Sequence, residues 1–354
     1  MQIIRVEVAP VELQISRPVQ LAGQPDIEYI TAIFIRLQTR QGQSAWGCTV
    51  AHPAMTGYEP LHVVQVCQEI ATRVPDMHPL NLEFTLSEIA QLTLDCPPAQ
   101  CAFDMAFHDL LGLASGMPLY RLLGGYRNRI QTSITIPIST LEESVEIARE
   151  QASRGFRILK IKGGFDPDLD VHKVHAIHRA LPNHSLRLDA DGGYTERQAL
   201  DVAGALEGVI EMLEQPTPAS NLQALREVSR ISHVPIMADQ SARDPASALA
   251  IAAGRCAMGL SIKLVTCGGF RPARQMDAIA AAAKLATNVS CLIEPGLLIA
   301  AGLSFALSSQ NVEYGDLDGY LHLKDDPSRP GFVLENGWLI ANEVPGLGYS
   351  VNLG

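Results

Sequence analysis

Apolar and polar residues alternate over positions 3–15 (IIRVEVAPVELQI) and 29–39 (YITAIFIRLQT), and again over 45–50 beyond a turn at Gly42. A period of two predicts strands, and three such runs joined by short connections predict a small antiparallel sheet. Over residues 60–125 the spacing becomes helical: Ala102, Met105, Ala106, Leu110 and Leu113 fall on one face, after a break at Pro97-Pro98. Strands followed by helices describe an α+β unit, which we place at 1–125.

From about residue 130 a strand-like run followed by a helix-like run repeats. The strand candidates are ITIPI (134–138), RILKIKGG (157–164), LRLDADGG (186–193), VIEMLEQP (209–216), VPIMADQS (234–241), LSIKLVT (260–266), SCLIEP (290–295) and VEYGDLDG (312–319). Helix starts are marked by Thr140 with Glu143, Thr195 with Gln198, Asn221, and Asp244 before Pro245. Eight such units predict an α/β fold, a closed parallel (β/α)-barrel over 126–319, although the eighth helix is weakly marked. No GxGxxG turn opens a helix, as a doubly wound sheet would normally show. Residues 320–354 resume alternation and are expected to return to the first domain.

The length of 354 residues suits a barrel of roughly 250 residues plus a capping domain. A formal charge of -11, with no cluster of Lys or Arg, argues against a nucleic-acid partner and for a small molecule. Seven cysteines without a CxxC pair fit a reducing cytoplasm. MQIIRVEVAP lacks the layout of a signal peptide, and the apolar stretch 295–307 is too short to span a bilayer, so no membrane association is expected.

Charged residues recur near the C-terminal ends of these apolar strands, where parallel barrels carry their active sites. The second strand ends in Lys160-Ile161-Lys162, which puts both lysines on one face. The third offers Asp189 and Asp191, the fourth Glu214, the fifth Asp239, the sixth Lys263, and the eighth Asp316 and Asp318. Taken singly, a Lys-x-Lys can be a solvated strand edge and an Asp can cap a helix or serve a turn. The ordered set on successive strands points instead to one site. Asp189, Glu214 and Asp239 supply three hard oxygen ligands suited to Mg²⁺, with no His or Cys to favour zinc. Lys162 and Lys263 would flank a substrate held there, one amine on each face. That arrangement suits removal of a proton next to a carboxylate, because a divalent cation stabilises the enediolate charge as it develops. Burial, the metal and Lys160 are expected to lower the Lys162 pKa and make it a usable base.

These residues resemble the enolase superfamily in its muconate lactonizing enzyme subgroup. CAFDMAFHDLLGLASGMPLYRLLGG (101–125) is similar to the family's capping-domain segment, and KIKGG, DADGGY, EQP, ADQS and SIKLVTCGG follow in the family's order. The resemblance implies a modified TIM barrel with an N-terminal cap, one Mg²⁺ on Asp189, Glu214 and Asp239, Lys162 and Lys263 as acid/base groups, and Lys160 as an auxiliary. It is also compatible with a homo-oligomer. Asp316-Leu317-Asp318 resembles the D-x-D element with which dipeptide epimerases hold the substrate's α-ammonium group; its bland alternative is a turn before Gly319. The implied activity is epimerisation of the C-terminal residue of a dipeptide by 1,1-proton transfer. An N-acyl amino acid racemase or o-succinylbenzoate synthase is the alternative within the family, and a non-catalytic acid-binding barrel the alternative outside it.

Three positions depart from the family pattern: Asp191 where Asn is usual, Gln240 where Glu is usual, and Cys48 after Gly47 where Glu is usual. The neutral Gln240 is expected to leave the Lys263 pKa lower than a carboxylate would. The resemblance assigns substrate selection to the cap loop 16–28, which holds Arg17, Asp26 and Glu28, and to residues 293–298, with Ile293 and Leu298 as an apolar wall. With Arg17 as the only cation there, acidic substrate side chains are not expected.

Overall fold

The structure is a computed structural model and describes residues 1–19, 26–93, 95–329 and 331–353. The alternating runs form the strands Ile3–Val19, Ile27–Thr39 and Ser44–Ala51, paired antiparallel in that order. Helices Pro60–Arg73, Leu82–Thr93 and Pro97–Ser115 complete the cap. Strand Ser44–Ala51 packs directly on the last of these. A Cβ on Gly47 would lie 1.8 Å from the Ala102 carbonyl oxygen, so glycine is required by backbone contact. The adjacent Cys48 is buried in the core.

Eight parallel strands follow in sequential order: Ile134–Ile136, Ile158–Lys162, Ser185–Asp189, Met212–Glu214, Ile236–Ala238, Gly259–Ile262, Ala286–Ser290 and Val312–Asp316. The helices after the first seven are Leu141–Ser153, Pro167–Ala180, Glu196–Ala205, Leu222–Ile231, Pro245–Gly254, Phe270–Ala283 and Gly296–Ser308. Their starts are the expected ones. Thr140, Thr195 and Asp244 each form a reciprocal capping box, and Asn221 accepts from the Ala224 N–H. After the eighth strand, a single 3-10 turn at Gly319–His322 stands where an eighth helix would pack.

The seventh strand is Ala286–Ser290, so SCLIEP begins at its last residue and continues as the loop beyond it. Thr287, Asn288 and Ser290 are buried polar residues that hydrogen-bond to neighbouring side chains, which hides the strand from an apolar-run criterion. The ring meets itself between the first and last strands. There the Ser133 N–H donates to the Gly315 carbonyl (3.0 Å), Leu317 N–H to Thr132 Oγ1 (2.8 Å) and Thr135 N–H to Asp318 Oδ2 (2.7 Å).

Cap and barrel are locked by a borrowed helix cap. Helix Phe270–Ala283 starts at Gly269, which has no side chain to cap it, and Asp104 of the cap domain accepts from the Phe270 and Arg271 N–H groups at 2.7 and 3.2 Å. The C-terminal segment touches both units. Strand Phe332–Glu335 pairs with Trp338–Ala341 and the latter with Arg129–Gln131, while Leu347 N–H reaches Asp109 Oδ1 (2.7 Å) and Lys324 N–H reaches the Gln14 carbonyl (2.9 Å). All seven cysteines are free thiols. No helix among the described residues is long and apolar enough to cross a membrane.

Candidate active site

Strand register fixes the centre of the site. Lys162 pairs with Asp189, and Asp189 with Glu214, so these side chains stand at the same level on adjacent strands. Asp239 follows the fifth strand directly. One oxygen from each of Asp189, Glu214 and Asp239 lies within 4.8 Å of the others, and all three residues are buried. The loops bearing the lysines and carboxylates pack backbone to backbone: a Cβ on Gly193 would lie 2.0 Å from the Gly164 carbonyl oxygen, which explains the paired glycines after both strands.

The Lys160 ammonium is 3 % exposed and donates to three carboxylates, at 2.9 Å to Asp189, 2.8 Å to Glu214 and 2.7 Å to Asp316. Lys162 donates to Asp189 (2.9 Å) and to both oxygens of Asp191 (3.0 and 2.8 Å). Lys263, across the barrel mouth, pairs with Asp239. A layer of hydroxyls orients the carboxylates from below: Ser261 donates to Glu214 (2.6 Å), and Ser133 and Ser290 to Asp316 (2.7 and 2.9 Å). Asp191 serves both readings given to it. Its φ of 46° lies in the left-handed region of a turn, while its carboxylate engages Lys162. Gln240 Nε2 donates to Asp191 Oδ1 (2.9 Å), so its amide faces Asp191.

The expected lowering of the Lys162 pKa is corrected by these contacts. Burial pushes Lys162 down, and Lys160 adds to that, but Asp189 and Asp191 outweigh both and hold the ammonium above its ordinary range. Lys263 is likewise raised, burial being overcome by Asp239 and Glu214. Glu214 is raised as well: burial raises it, Lys160 opposes, and Asp189, Asp239 and Asp316 add to the rise, to about 7. Carboxylate charge therefore exceeds what the lysines neutralise at this point.

A cavity of about 380 Å³ opens above this centre. Lys160, Lys162, Lys263, Asp239, Asp316 and Asp318 line it, as do Asp191 and Gln240, while Asp189 and Glu214 lie beneath. Arg17 and Ile293 are also in its wall. Leu298 is not: it is 1 % exposed inside helix Gly296–Ser308, whose residues are apolar and buried on nearly every side. Asp26 is exposed and outside the lining, and positions 20–25 of the proposed selection loop lie outside the described residues. Arg17 is not the sole cation near the substrate. Arg154 and Arg243 line the cavity too, together with Glu150 and His322, so the case against acidic side chains loses its premise. Sequence reasoning missed these four because each sits on a helix face or in a loop beyond a strand end.

The two halves of the chain match known families. Residues 3–124 match the mandelate racemase / muconate lactonizing enzyme N-terminal domain, and residues 143–353 the enolase C-terminal domain-like family. An L-Lys-D/L-Arg epimerase of Methylococcus capsulatus is 32 % identical over 98 % of this chain and 99 % of its own. Among solved structures, a substrate-liganded L-Ala-D/L-Glu epimerase from Bacillus subtilis superimposes with a TM-score of 0.96 at 29 % identity, covering 100 % of both chains. A dipeptide epimerase from Enterococcus faecalis complexed with Mg and L-Leu-L-Tyr gives 0.95 at 29 % identity, covering 99 % of this chain and 100 % of its own. With both domains matched and the strand-end charges in one cavity, this chain belongs to the enolase superfamily, in the mandelate racemase / muconate lactonizing enzyme family.

Proposed function

We propose that the protein is a Mg²⁺-dependent dipeptide epimerase that inverts the α-carbon of the C-terminal residue. One observation carries this reading: Asp316 and Asp318 open into the same cavity as the two lysines, so an ammonium site and a two-faced proton-transfer site are within reach of one small molecule. The similar proteins named above act on, or are bound to, dipeptides, which supports the substrate class.

The donor set fits the metal. Three hard oxygens converge without a His or Cys among them, and the five carboxylates of Asp189, Asp191, Glu214, Asp239 and Asp316 meet three lysines, a surplus of negative charge that a divalent cation would balance. Asp189, Glu214 and Asp239 would hold it, and bound there it supplies positive charge to the substrate carboxylate as the α-carbon loses its proton.

The chain's own groups do the rest. A neutral amine of one lysine takes the α-proton; the C–H bond breaks and its electron pair spreads into the carboxylate. The ammonium of the other lysine delivers a proton to the opposite face, forming the new C–H bond and inverting the centre. A divalent cation on Asp189 and Asp239 would weaken the hold of these carboxylates on Lys162 and Lys263 and so let a lysine held protonated act as a base. Lys160 keeps Asp189, Glu214 and Asp316 in place at 2.7–2.9 Å. Asp318 would receive the α-ammonium group.

The test is exchange of the substrate α-hydrogen in D₂O across a dipeptide library, read by NMR with Mg²⁺ and again after EDTA. Exchange with inversion that needs Mg²⁺ and disappears in Lys162→Ala is the expected result. Binding of a small acid without exchange would leave only the non-catalytic barrel.

A further inference from the structure

We propose that the cavity has a side arm along the first barrel helix that receives the side chain of the substrate's N-terminal residue and selects long chains with a polar tip. This rests on the dipeptide reading and deepens it.

The arm follows from the missing eighth helix. Helix Leu141–Ser153 packs against Pro167–Ala180 on one flank, but on the other only the short turn Gly319–His322 follows the eighth strand, and the two face one cavity. Its exposed flank therefore becomes a cavity wall. Ile147, Glu150, Gln151 and Arg154 all line the cavity and recur at three- and four-residue spacing, which puts them on one helical face. The seven steps from Ile147 to the C-cap Arg154 correspond to about 10 Å of helical rise, far more than a methyl group needs. Leu321 and His322 also line the cavity, on the turn.

The arm starts at the ammonium site. His322 Nε2 is 3.5 Å from Asp318 Oδ2, so the wall of the arm and the carboxylate assigned to the ammonium adjoin. In an amino acid the ammonium and the side chain leave the same carbon. An N-terminal residue anchored by Asp318, with the distal carboxylate drawn toward the Mg²⁺ that Asp189, Glu214 and Asp239 would hold, therefore sends its side chain along this helix. Chemistry along the arm is ordered. Ile147 and Leu321 offer an apolar stem region, and Glu150, Gln151 and Arg154 a polar end, where Arg154 Nη1 donates to Gln151 Oε1 at 2.9 Å. Chains such as those of Lys, Arg, Gln and Glu match this order; Gly and Ala leave the arm filled with water. Burial is worth about fourfold per methylene, so a three- or four-methylene stem is worth on the order of a hundredfold in kcat/KM over Gly.

The experiment holds one accepted C-terminal residue fixed, varies the N-terminal residue through Gly, Ala, Leu, Gln, Glu and Lys, and follows α-hydrogen exchange in D₂O with the Mg²⁺-loaded enzyme. The expected result is a preference over Ala of about fourfold for Gln or Glu and on the order of fiftyfold for Lys. Ile147→Trp, which plugs the arm, should collapse that ratio toward one, chiefly through KM. Arg154→Ala and Glu150→Ala, both at exposed positions, should shift the ranking of Glu against Lys in opposite senses and serve if the Trp variant does not fold. Equal or better turnover with an N-terminal Ala, or equal losses on Ala- and Lys-initiated substrates in Ile147→Trp, would overturn the arm. Exchange with no dipeptide at all would overturn the reading on which it rests.

Discussion

Asp316 and Asp318 look equivalent in sequence, yet their surroundings predict different consequences for the same substitution. Asp318 Oδ2 accepts from the Thr135 N–H at 2.7 Å, while Oδ1 has only the Cys291 thiol at 3.9 Å, leaving acceptor capacity toward the cavity. Asp316 is committed on both oxygens, to Ser133, Ser290 and Lys160 at 2.7, 2.9 and 2.7 Å. In Asp318→Asn a charge-assisted bond to a desolvated ammonium is lost, about 1.5–3 kcal/mol, which is roughly a 10- to 150-fold drop in kcat/KM for a dipeptide. The N-acetylated form of the same dipeptide has no ammonium and should lose little, so the ratio of the two substrates changes by nearly the whole factor. Asp316→Asn removes one of three carboxylates around a buried ammonium. It should lower activity on both substrates together and cost stability, by no more than the roughly 3–5 kcal/mol of a broken buried pair, since Asp189 and Glu214 remain on Lys160. The assay is α-hydrogen exchange on the paired substrates, with urea unfolding alongside. Equal losses on both substrates in Asp318→Asn would refute an ammonium contact at this residue.

Lys263→Ala should abolish inversion, lowering it by about 10²-fold or more, while the epimer whose α-hydrogen faces Lys162 still exchanges with solvent; exchange of both epimers at the original rate would remove Lys263 from the mechanism. Asp104→Ala should cost about 1–2 kcal/mol in urea unfolding, because Gly269 cannot cap helix Phe270–Ala283 in its place. Glu294 gives a pH signature: burial raises its carboxyl from the ordinary 4.5 to about 8, against the Leu292 N–H and Lys263. A raised carboxyl keeps its proton in the fold after the unfolded chain has lost it, so stability is highest below pH 4.5 for this group and is lost as pH climbs to about 8, by up to about 1.4 kcal/mol per pH unit. Glu294→Gln should remove that decline from urea midpoints measured over the same range, and an unchanged slope would show that Glu294 is not the group responsible.

The residues that were legible in sequence are those for which strand geometry leaves no choice. In an apolar strand of a parallel barrel, a charge near the C-terminal end points into the mouth or breaks the core, so Lys160, Lys162, Asp189, Glu214 and Lys263 announced themselves. The seventh strand did not, because Thr287, Asn288 and Ser290 carry no apolar signature and bond instead to Asn311, Ser261 and Asp316 on neighbouring segments. Leu298 misled for the opposite reason: an apolar residue near a strand end reads as a pocket wall, and here the whole helix is buried. Arg154 and Glu150 read as an ordinary solvated helix face, since only the absent eighth helix turns that face into a wall. The lysine pKa values also lay beyond sequence, because spacing along a strand says nothing of a carboxylate such as Asp191 brought in from its neighbour.

The joint between the first and last barrel strands is held partly by Asp318 itself, through the Thr135 N–H. A ring is only as rigid as its last joint, and here the residue that fastens the joint is also the one offered to the substrate. On the proposed reading, substrate and joint share one carboxylate, so a docked ammonium would act as a keystone to a joint that Ser133, Thr132 and Thr135 already close.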